Sequence, residues 1–206
     1  MTQTEQIKKL KAEIRKLKKL VLYDELTKVL NRRGFMDQAN TVYRTLYSSH
    51  RRKERRIDHE EIPFSLIFLD ADNFKRINDT FGHDAGDAVL KAIAATLKKS
   101  TRTNDLVGRF GGEEFVITLA GADLRVASRI AERIRERIAI MSIPGYSKLS
   151  VTASIGIATR TGEETLKDLI THADRAMYEA KQNGKNQVMT FHKKEESSSF
   201  LSKLFG

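Results

Sequence analysis

Apolar residues recur every three or four positions in five stretches of the chain. This spacing places apolar side chains on one face of an α-helix, so each stretch predicts an amphipathic helix. Asn183 and Gly184 close the last one, because this pair is typical of a helix end. The five predicted faces are Ile7, Leu10, Ile14, Leu17 and Val21; Phe35, Ala39, Val42, Tyr43, Leu46 and Tyr47; Val89, Leu90, Ile93 and Leu97; Ala127, Ile130, Ala131, Ile134 and Ile138; and Leu166, Leu169, Ile170, Ala173, Met177 and Ala180.

Five shorter stretches predict β-strands. Two of them flank the pair Gly111-Gly112, which is typical of a hairpin tip. The order strand, helix, hairpin, helix, strand, helix predicts the α/β (α+β) class, with helices flanking a mixed sheet that contains an antiparallel hairpin. The predicted strands are FSLIFLD (64–70), DLVGRF (105–110), EFVITL (114–119), LSVTASIGIAT (149–159) and, at an edge of the sheet, NQVMTF (186–191).

The N-terminal helix has the heptad pattern of a parallel, two-stranded coiled coil. Every a position from Ile7 to Val21 is β-branched and both d positions are leucine, a choice that favours two parallel strands. Glu13 at g and Lys18 at the next e carry opposite charges and can pair between chains. Because fewer than three heptads is short for an isolated coil, a single helix docked on its own domain is the alternative.

Two polar stretches indicate how the chain is divided. Residues 48–62 (SSHRRKERRIDHEEI) predict a basic loop, and the tail HKKEESSSFLSKLFG predicts disorder, although its FLSKLF could dock on a partner. We therefore expect a coiled-coil helix over 1–22, one globular domain over 23–192 and a disordered tail over 193–206.

Composition and charge narrow the class of protein. The net charge is +10, and the first 60 residues carry 16 Lys and Arg against 8 Asp and Glu. Such a balance makes a nucleic-acid binder one alternative, but the basic runs lack the interleaved aromatic residues that stack on bases, so we expect no nucleic-acid partner. The chain has no cysteine and no apolar run long enough to span a bilayer, so we expect a soluble, cytoplasmic protein without disulfides.

Acidic residues follow a buried strand and the hairpin tip. Asp70 ends the first predicted strand, where α/β folds place ligands, and Glu113 follows the tip glycines. Mg²⁺ binds a few hard oxygens and leaves room for phosphate and water, so we interpret Asp70 and Glu113 as metal ligands. Without a Cβ, Gly111 and Gly112 can adopt positive φ and approach a nucleotide closely. A tight turn with solvated acids is the alternative for the glycines and glutamates taken alone.

Six stretches together carry a recognisable family pattern. They are DELTKVLNRRGF (24–35), LDADNFKRINDTFGHDAGDAVL (69–90), RTNDLVGRFGGEEF (102–115), IAERIR (130–135), VTASIGIA (151–158) and ADRAMYEAKQNGKN (173–186). In order and spacing they resemble the GGDEF-domain diguanylate cyclases, in the GGEEF form of the signature, over about residues 24–190. The sequence contains neither GxxxxGK nor GxGxxG, so neither a P-loop nor a Rossmann site competes with this interpretation.

The resemblance implies a palm-like fold, akin to nucleotidyl cyclases and polymerases, over the domain at 23–192. It implies that two GTP molecules are joined into cyclic di-GMP with release of two pyrophosphates. Asp70 and Glu113, helped by the carbonyl of Ala71, are implied to hold Mg²⁺ or Mn²⁺, two ions per half-site. Glu114 is implied to lie beside the reacting 3′-hydroxyl and to help its deprotonation. Because each domain would hold one GTP, the active form is expected to be a homodimer.

The resemblance also implies residues that bind the GTP substrate. A carboxylate at Asp87 can accept hydrogen bonds from both N1–H and the 2-amino group of guanine, which adenine cannot match. Helix capping is the alternative for Asn78 and Asp87, since both lie near glycine-rich boundaries. The implied substrate contacts are Asn78 and Asp87 to guanine, the backbone of Asn73 and Phe74 with the side chains of Lys75, Lys181 and Lys185 to phosphate, and Gly112 beneath the nucleotide.

RTND (102–105) resembles the RxxD site at which the product inhibits this family. Arg102 can bind O6 and N7 of guanine, as arginine does in DNA grooves, and Asp105 can accept from the amino edge. Arg133 stands at the position of a further inhibitory arginine. The alternative is a surface turn with an Arg–Asp pair, which stabilises little. For the whole protein, the alternative is a catalytically silent module that binds cyclic di-GMP, but the intact GGEEF signature favours the enzyme.

Overall fold

Helices and strands alternate through the residues that this computed structural model describes, which are 3–47, 62–162 and 164–192. The predicted basic loop over 48–62, except its last residue, and the predicted disordered tail over 193–206 lie outside them. The elements are α1 (Gln3–Leu22), α2 (Arg32–Tyr47), β1 (Phe64–Ala71), α3 (Phe74–Phe81), α4 (His83–Ser100), β2 (Leu106–Arg109), β3 (Glu114–Ala120), α5 (Leu124–Ala139), β4 (Ala153–Thr159), α6 (Leu166–Gln182) and β5 (Val188–Thr190).

The five strands form one mixed sheet in the order β2-β3-β1-β4-β5. β1 lies between β3 and β4 and is antiparallel to both, while β5 pairs with β4 in parallel at one edge. β2 and β3 form the predicted hairpin. The α/β class, the mixed sheet and its antiparallel hairpin are therefore confirmed.

Alternate residues of β1 pack against helices on opposite faces of the sheet. Phe64, Leu66 and Phe68 join a buried cluster that also contains residues of α2 and α6. Ile67 and Leu69 join a second cluster with α4 and α5. Because side chains alternate along a strand, Asp70 continues the series that faces α6, and this places its carboxylate beside that helix.

The structure differs from the sequence-based prediction in one additional helix and in one strand boundary. α3 was not expected as a separate helix, because it has eight residues and buries only Phe74 and Ile77, which is too little for a recognisable period. β4 begins at Ala153 and not at residue 149. Just before it, the carbonyl of Thr152 accepts from the N–H of Asp72, so this backbone joins the turn after β1.

Helix α1 exposes apolar side chains on the predicted coiled-coil face. Among the side chains that are described there, Ile7, Leu10 and Val21 are 47%, 52% and 49% exposed. The rest of the described chain therefore leaves these three side chains about half exposed, which does not favour docking of α1 on its own domain at these positions. No helix within residues 3–47, 62–162 and 164–192 combines the length and the apolar character that a membrane span needs.

Candidate active site

The end of β1 and the start of β3 bring the predicted acids together. The two strands are antiparallel, and their register sets Asp70 opposite Glu114. The N–H of Ala71 donates to the carbonyl of Glu113 at 3.2 Å, which extends the pairing to the hairpin tip. Cross-strand partners project to the same side of a sheet. Asp70 and Glu114 therefore face the same side, toward α6.

Asp70 is a buried carboxylate with one free oxygen. Its Oδ2 receives Lys181 Nζ at 2.8 Å, while its Oδ1 is buried without a hydrogen-bond partner. Burial raises the pKa of Asp70 above its ordinary value, and the charges of Asp72 and Asp174 raise it further, against the opposing charge of Lys181. A buried carboxylate oxygen without a partner is costly, so this position favours a bound cation.

The two glutamates of the hairpin share this environment. Burial raises the pKa of Glu113, and the negative charge of Asp70 adds to the effect. Burial likewise raises the pKa of Glu114, with further contributions from Asp70 and Asp174. Mutually repelling carboxylates with raised pKa values, held by two strands, are typical of functional sites.

The donor set fits a magnesium or manganese ion that is completed by phosphate and water. In the described part of the chain, no three acidic or histidine side chains converge into a complete metal cage. Mg²⁺ is commonly held by one or two carboxylates together with substrate phosphates, so a complete cage is not required. The open oxygen of Asp70 and the carboxylate of Glu113, which lies near enough to feel the charge of Asp70, could supply two such ligands.

The tip glycines provide space for neighbouring groups. Neither Gly111 nor Gly112 adopts a positive φ, so that part of the prediction is wrong. A Cβ on Gly111 would lie 2.0 Å from Oε2 of Glu114, which means that the bare backbone makes room for this carboxylate. Nothing lies within 4 Å of a Cβ built on Gly112, so this position is open to an approaching ligand.

Arg109 and Asp24 fix the hairpin tip and were not predicted as functional. Arg109 donates from Nε and Nη2 to the carbonyl of Gly112, and its Nη1 lies 3.2 Å from both carboxylate oxygens of Asp24. Asp24 also accepts from the N–H and hydroxyl of Thr27. The spacing of Asp24 and Thr27 in DELT could have indicated a turn, but it could not have indicated the partner at Arg109.

Asp72 ties two distant segments to the turn after β1. Its carboxylate is 3% exposed and accepts from the hydroxyls of Thr152 and Ser154 and from the N–H of Asn186. In the same region Nζ of Lys185 donates to Oδ1 of Asn73 at 2.5 Å. The predicted phosphate residues Asn73 and Lys185 are thus brought together, and Asp72 holds the loop that carries Lys185.

Three of these residues adopt left-handed backbone conformations. Asn73, Lys185 and Asn186 have φ of 57°, 64° and 43°. For residues other than glycine this region costs about 1–2 kcal/mol each, and such conformations cluster at functional sites. Asn73 immediately precedes α3, so this turn places the N-terminus of α3 beside Lys185.

Asn78 lies against the first turn of α4. A Cβ on Gly86 would come within 1.9 Å of Oδ1 of Asn78, so the absence of that atom allows the approach. Asp87 is the next residue of α4 and is exposed in the same turn. The structure therefore brings the two predicted guanine residues to one corner between α3 and α4. Phe74 is buried at the start of α3, and Lys75 beside it is exposed.

A cavity of about 490 Å³, which none of the acids of the candidate active site lines, contains the predicted inhibitory residues. Oδ2 of Asp105 accepts from the N–H of Arg102, and Arg133 donates to the carbonyl of Ser100. Burial raises the pKa of Asp105, although Arg102 opposes the shift. The structure adds Lys99, Arg129 and Arg137 to the lining, which no motif had indicated, so cations dominate the walls.

The chain matches a sequence family over most of its length. The model of the GGDEF family, described as "Diguanylate cyclase, GGDEF domain", matches residues 21–187. The chain is 40% identical to "Diguanylate cyclase DgcM" of Escherichia coli (strain K12) over 169 residues. This match takes in 81% of the chain but only 38% of that relative, so the chain spans less than two fifths of the curated protein.

Solved structures have the same fold. One is the coiled coil and GGDEF domain of DgcB from Caulobacter crescentus in complex with c-di-GMP, which aligns at a TM-score of 0.79 and 24% identity over 91% of this chain and 94% of that one. A second is the GGDEF domain of DgcB alone, also with c-di-GMP, which aligns at 0.72 and 26% identity over 82% of this chain and 95% of that one. Because its identity to this chain is only 24%, the first structure shows similarity in fold only. Its alignment covers more of this chain than the alignment of the second structure does.

Proposed function

The chain belongs to the GGDEF-domain family, and we propose from this that it is a diguanylate cyclase, which condenses two GTP into cyclic di-GMP and releases two pyrophosphates. The observation that carries the proposal is the buried Asp70 carboxylate, with one oxygen free of partners, set opposite Glu114 on the GGEEF hairpin. The 40% identity to a relative named as a diguanylate cyclase supports the same reaction.

The metal ligands in this proposal are Asp70, Glu113 and the carbonyl of Ala71. Two Mg²⁺ or Mn²⁺ ions per half-site would offset the negative charge of the carboxylates and the triphosphate and would favour departure of pyrophosphate. Lys181 now forms an ion pair with Asp70. Its predicted contact with phosphate therefore requires that Lys181 leave Asp70 when a cation neutralises that carboxylate.

The triphosphate of GTP lies between the start of α3 and the loop after α6. The hydrogen bond between Lys185 and Asn73 supports this position. It holds the positive charge of Lys185 beside the turn in which the backbone N–H groups of Asn73 and Phe74 are the proposed phosphate donors. Lys75 adds a flexible positive charge from the exposed side of α3. Gly112 leaves room for the nucleotide at the hairpin tip.

Guanine is recognised in the corner that contains Asn78 and Asp87. The exposed carboxylate of Asp87 accepts from N1–H and the 2-amino group, and the amide of Asn78 supplies a further hydrogen bond. Adenine presents no such pair of donors and would leave Asp87 unsatisfied, so GTP is the preferred substrate.

Glu114 takes the proton from the 3′-hydroxyl. Its raised pKa increases its basicity relative to an ordinary carboxylate, which suits a proton acceptor. The 3′-oxygen forms a bond to the α-phosphorus of the second GTP, the bond from that phosphorus to the bridging oxygen breaks, and pyrophosphate leaves with the electron pair. The same step with the roles exchanged closes the ring.

The active form is a homodimer in which each domain holds one GTP. Its support is the exposed apolar face of α1, where Ile7, Leu10 and Val21 have the heptad spacing of a parallel pair. Joining two domains through such a helix raises the effective concentration of one nucleotide at the other.

Cyclic di-GMP inhibits by binding the cavity that contains Arg102, Asp105 and Arg133. Arg102 and Asp105 meet a guanine edge, and Arg133 meets phosphate or a second guanine. The support is the cation-lined cavity itself, which is separate from the acidic site, and the c-di-GMP bound to the similar domain of DgcB.

The proposal is tested by turnover of GTP with Mg²⁺, comparing the wild type with Glu114→Gln. We expect cyclic di-GMP and pyrophosphate from the wild type, inhibited by added cyclic di-GMP, and a rate about 10²–10⁴-fold lower from the variant. The matched control is Glu179→Gln, an exposed carboxylate on α6, which should leave the rate unchanged.

Two results would overturn the proposal in different ways. Binding of cyclic di-GMP with no pyrophosphate release by the wild type would identify a silent binding module. If the Glu114→Gln variant turned over GTP at the wild-type rate, Glu114 would have no role in the chemical step.

A further inference from the structure

Arg32 is held over an aromatic ring at the rim of the candidate active site. It is the first residue of α2, and its guanidinium carbon lies 4.6 Å from the ring centroid of Phe110. Phe110 directly precedes the hairpin tip, and its N–H donates to the carbonyl of Glu114 at 2.8 Å. Phe68 packs edge-on against the same ring, with centroids 5.5 Å apart. The ring is therefore a fixed platform, and its negative face attracts the cation that lies over it.

The backbone beneath Arg32 is also fixed. The side-chain oxygen of Asn31 accepts from the N–H of Gly34 at 2.8 Å, and its amide donates to the carbonyl of Val21. Leu30 exchanges backbone hydrogen bonds with β2, accepting from the N–H of Arg109 at 2.7 Å and donating to Val107 at 3.1 Å. These contacts set the start of α2 beside the hairpin, so the position of Arg32 relative to Phe110 is determined by the fold.

Arg32 supplies a positive charge near Glu114 that has no ion-pair partner among the described residues. The carboxylate of Glu114 folds over Gly111, the residue after Phe110. Burial and nearby acids raise the pKa of Glu114, and two cations, Lys181 and Arg32, oppose them. Lys181 is engaged by Asp70 at 2.8 Å. Arg32 is exposed and, among the residues that the structure describes, forms no ion pair with a carboxylate.

We propose that Arg32 is a further catalytic residue, which binds the α-phosphate of the GTP held by the second domain while the phosphodiester bond forms. This inference rests on the proposed function. The attacking oxygen and the phosphorus must approach to about 3–3.5 Å, so an α-phosphate that reacts beside Glu114 comes within reach of groups at that rim. A guanidinium fits phosphate oxygens in a planar, two-point contact.

The chemistry assigns Arg32 to the incoming nucleotide and not to the GTP of its own domain. The phosphate residues for the bound GTP, Asn73 and Lys185, follow β1 and α6 and hydrogen-bond to each other on the β4 side of β1. Arg32 and Phe110 lie on the opposite side of β1, beside the β2-β3 hairpin. During the step, the α-phosphate gains a bond to the 3′-oxygen and loses its bond to pyrophosphate, and the proton goes to Glu114. Arg32 donates to the non-bridging oxygens, whose charge increases as the bond breaks.

The test compares Arg32→Gln, Arg32→Lys and the matched control Arg33→Gln in steady-state GTP turnover. Arg33 is the next residue of α2, carries the same charge and is exposed. We expect Arg32→Gln to lower kcat about 10²-fold, Arg32→Lys to retain an intermediate rate, and Arg33→Gln to stay within about twofold of the wild type. The affinity of each chain for a non-hydrolysable GTP analogue should be unchanged, and melting curves should show that all variants are folded at the assay temperature.

Two results would overturn the assignment to Arg32. Equal rates for Arg32→Gln and Arg33→Gln would remove Arg32 from the reaction. A loss of analogue affinity as large as the loss of kcat/KM would place Arg32 on the GTP of its own domain. If instead the wild type itself makes no cyclic di-GMP, the proposed function fails.

Discussion

Arg109 connects the turn after α1 to the hairpin that carries the acids. It lies within 3.2 Å of both oxygens of Asp24 and also holds the carbonyl of Gly112. Burial would raise the pKa of Asp24, but hydrogen bonds from Thr27 and the charge of Arg109 outweigh it and hold the pKa below its ordinary value. The ionised form of Asp24 is therefore the form that stabilises the fold.

The sign of this shift gives a prediction for Asp24→Asn. A lowered pKa contributes stability at pH values above the unfolded pKa, and that stability is lost as pH falls through the folded pKa. We expect Asp24→Asn to lower the free energy of unfolding by about 1–2 kcal/mol at pH 7. The difference from the wild type should shrink at acidic pH, below the lowered pKa.

Urea unfolding across this pH range measures the effect of Asp24→Asn. Asp70, Glu113 and Glu114 have shifts of the opposite sign, but they are present in both proteins and cancel in the comparison. The control is Asp37→Asn, an exposed carboxylate on α2. A difference that stays constant with pH would show that the charge of Asp24 contributes nothing.

At the scale of elements, the contact between α3 and α4 depends on Gly86. A Cβ there would lie 1.9 Å from Oδ1 of Asn78 and 3.1 Å from Cζ of Phe74. The atom that the new methyl group would meet, Oδ1 of Asn78, is at the end of a side chain and can move aside. Since alanine also favours a helix over glycine by up to about 1 kcal/mol, the helix itself tolerates the change.

We therefore expect Gly86→Ala to impair recognition of guanine without unfolding the domain. With Asn78 displaced, the loss of one hydrogen bond should raise KM for GTP about tenfold and reduce the preference for GTP over ATP. The melting temperature should not fall. Steady-state kinetics with both nucleotides measure the change.

A double-mutant cycle isolates the cause of that effect. If Gly86→Ala acts through Asn78, adding it to Asn78→Ala should cost nothing further. Additive losses in KM would show instead that the new methyl group disturbs the site by another path.

At the scale of the whole molecule, α1 is the element that the described domain leaves uncovered. Ile7, Leu10 and Val21 remain about half exposed. Burying such side chains against a second copy would gain about 25 cal/mol for each Å² of apolar surface removed from water. Under the proposed function, the two half-sites would then meet without a diffusional search.

Leu10→Gln with Leu17→Gln should therefore make turnover dependent on concentration. We expect the rate per chain to fall by about tenfold on dilution, as the effective concentration of the second domain is lost. The variant Lys9→Gln with Lys16→Gln, at c positions of the heptad, is the control. A rate per chain that does not change on dilution, with an unchanged sedimentation coefficient, would remove α1 from dimer formation.

Most of the local architecture could be predicted from the sequence. The period of apolar residues indicated the five amphipathic helices because it depends only on the geometry of each segment and on which side is buried. The pair Gly111-Gly112 between two apolar runs indicated the hairpin. The motif around Gly111 likewise located the acids of the candidate site. The short helix α3 escaped prediction because two buried residues cannot establish a period.

The sequence by itself determined the order of the elements other than α3, the family and the acids of the candidate site, since these follow from residues close together in the chain. Only the tertiary structure decided that Arg109 meets Asp24, that Lys181 neutralises one oxygen of Asp70 and that Arg32 lies over Phe110. Each of these contacts joins residues far apart in sequence. The path of the chain brings them together, and no local period or propensity encodes that path.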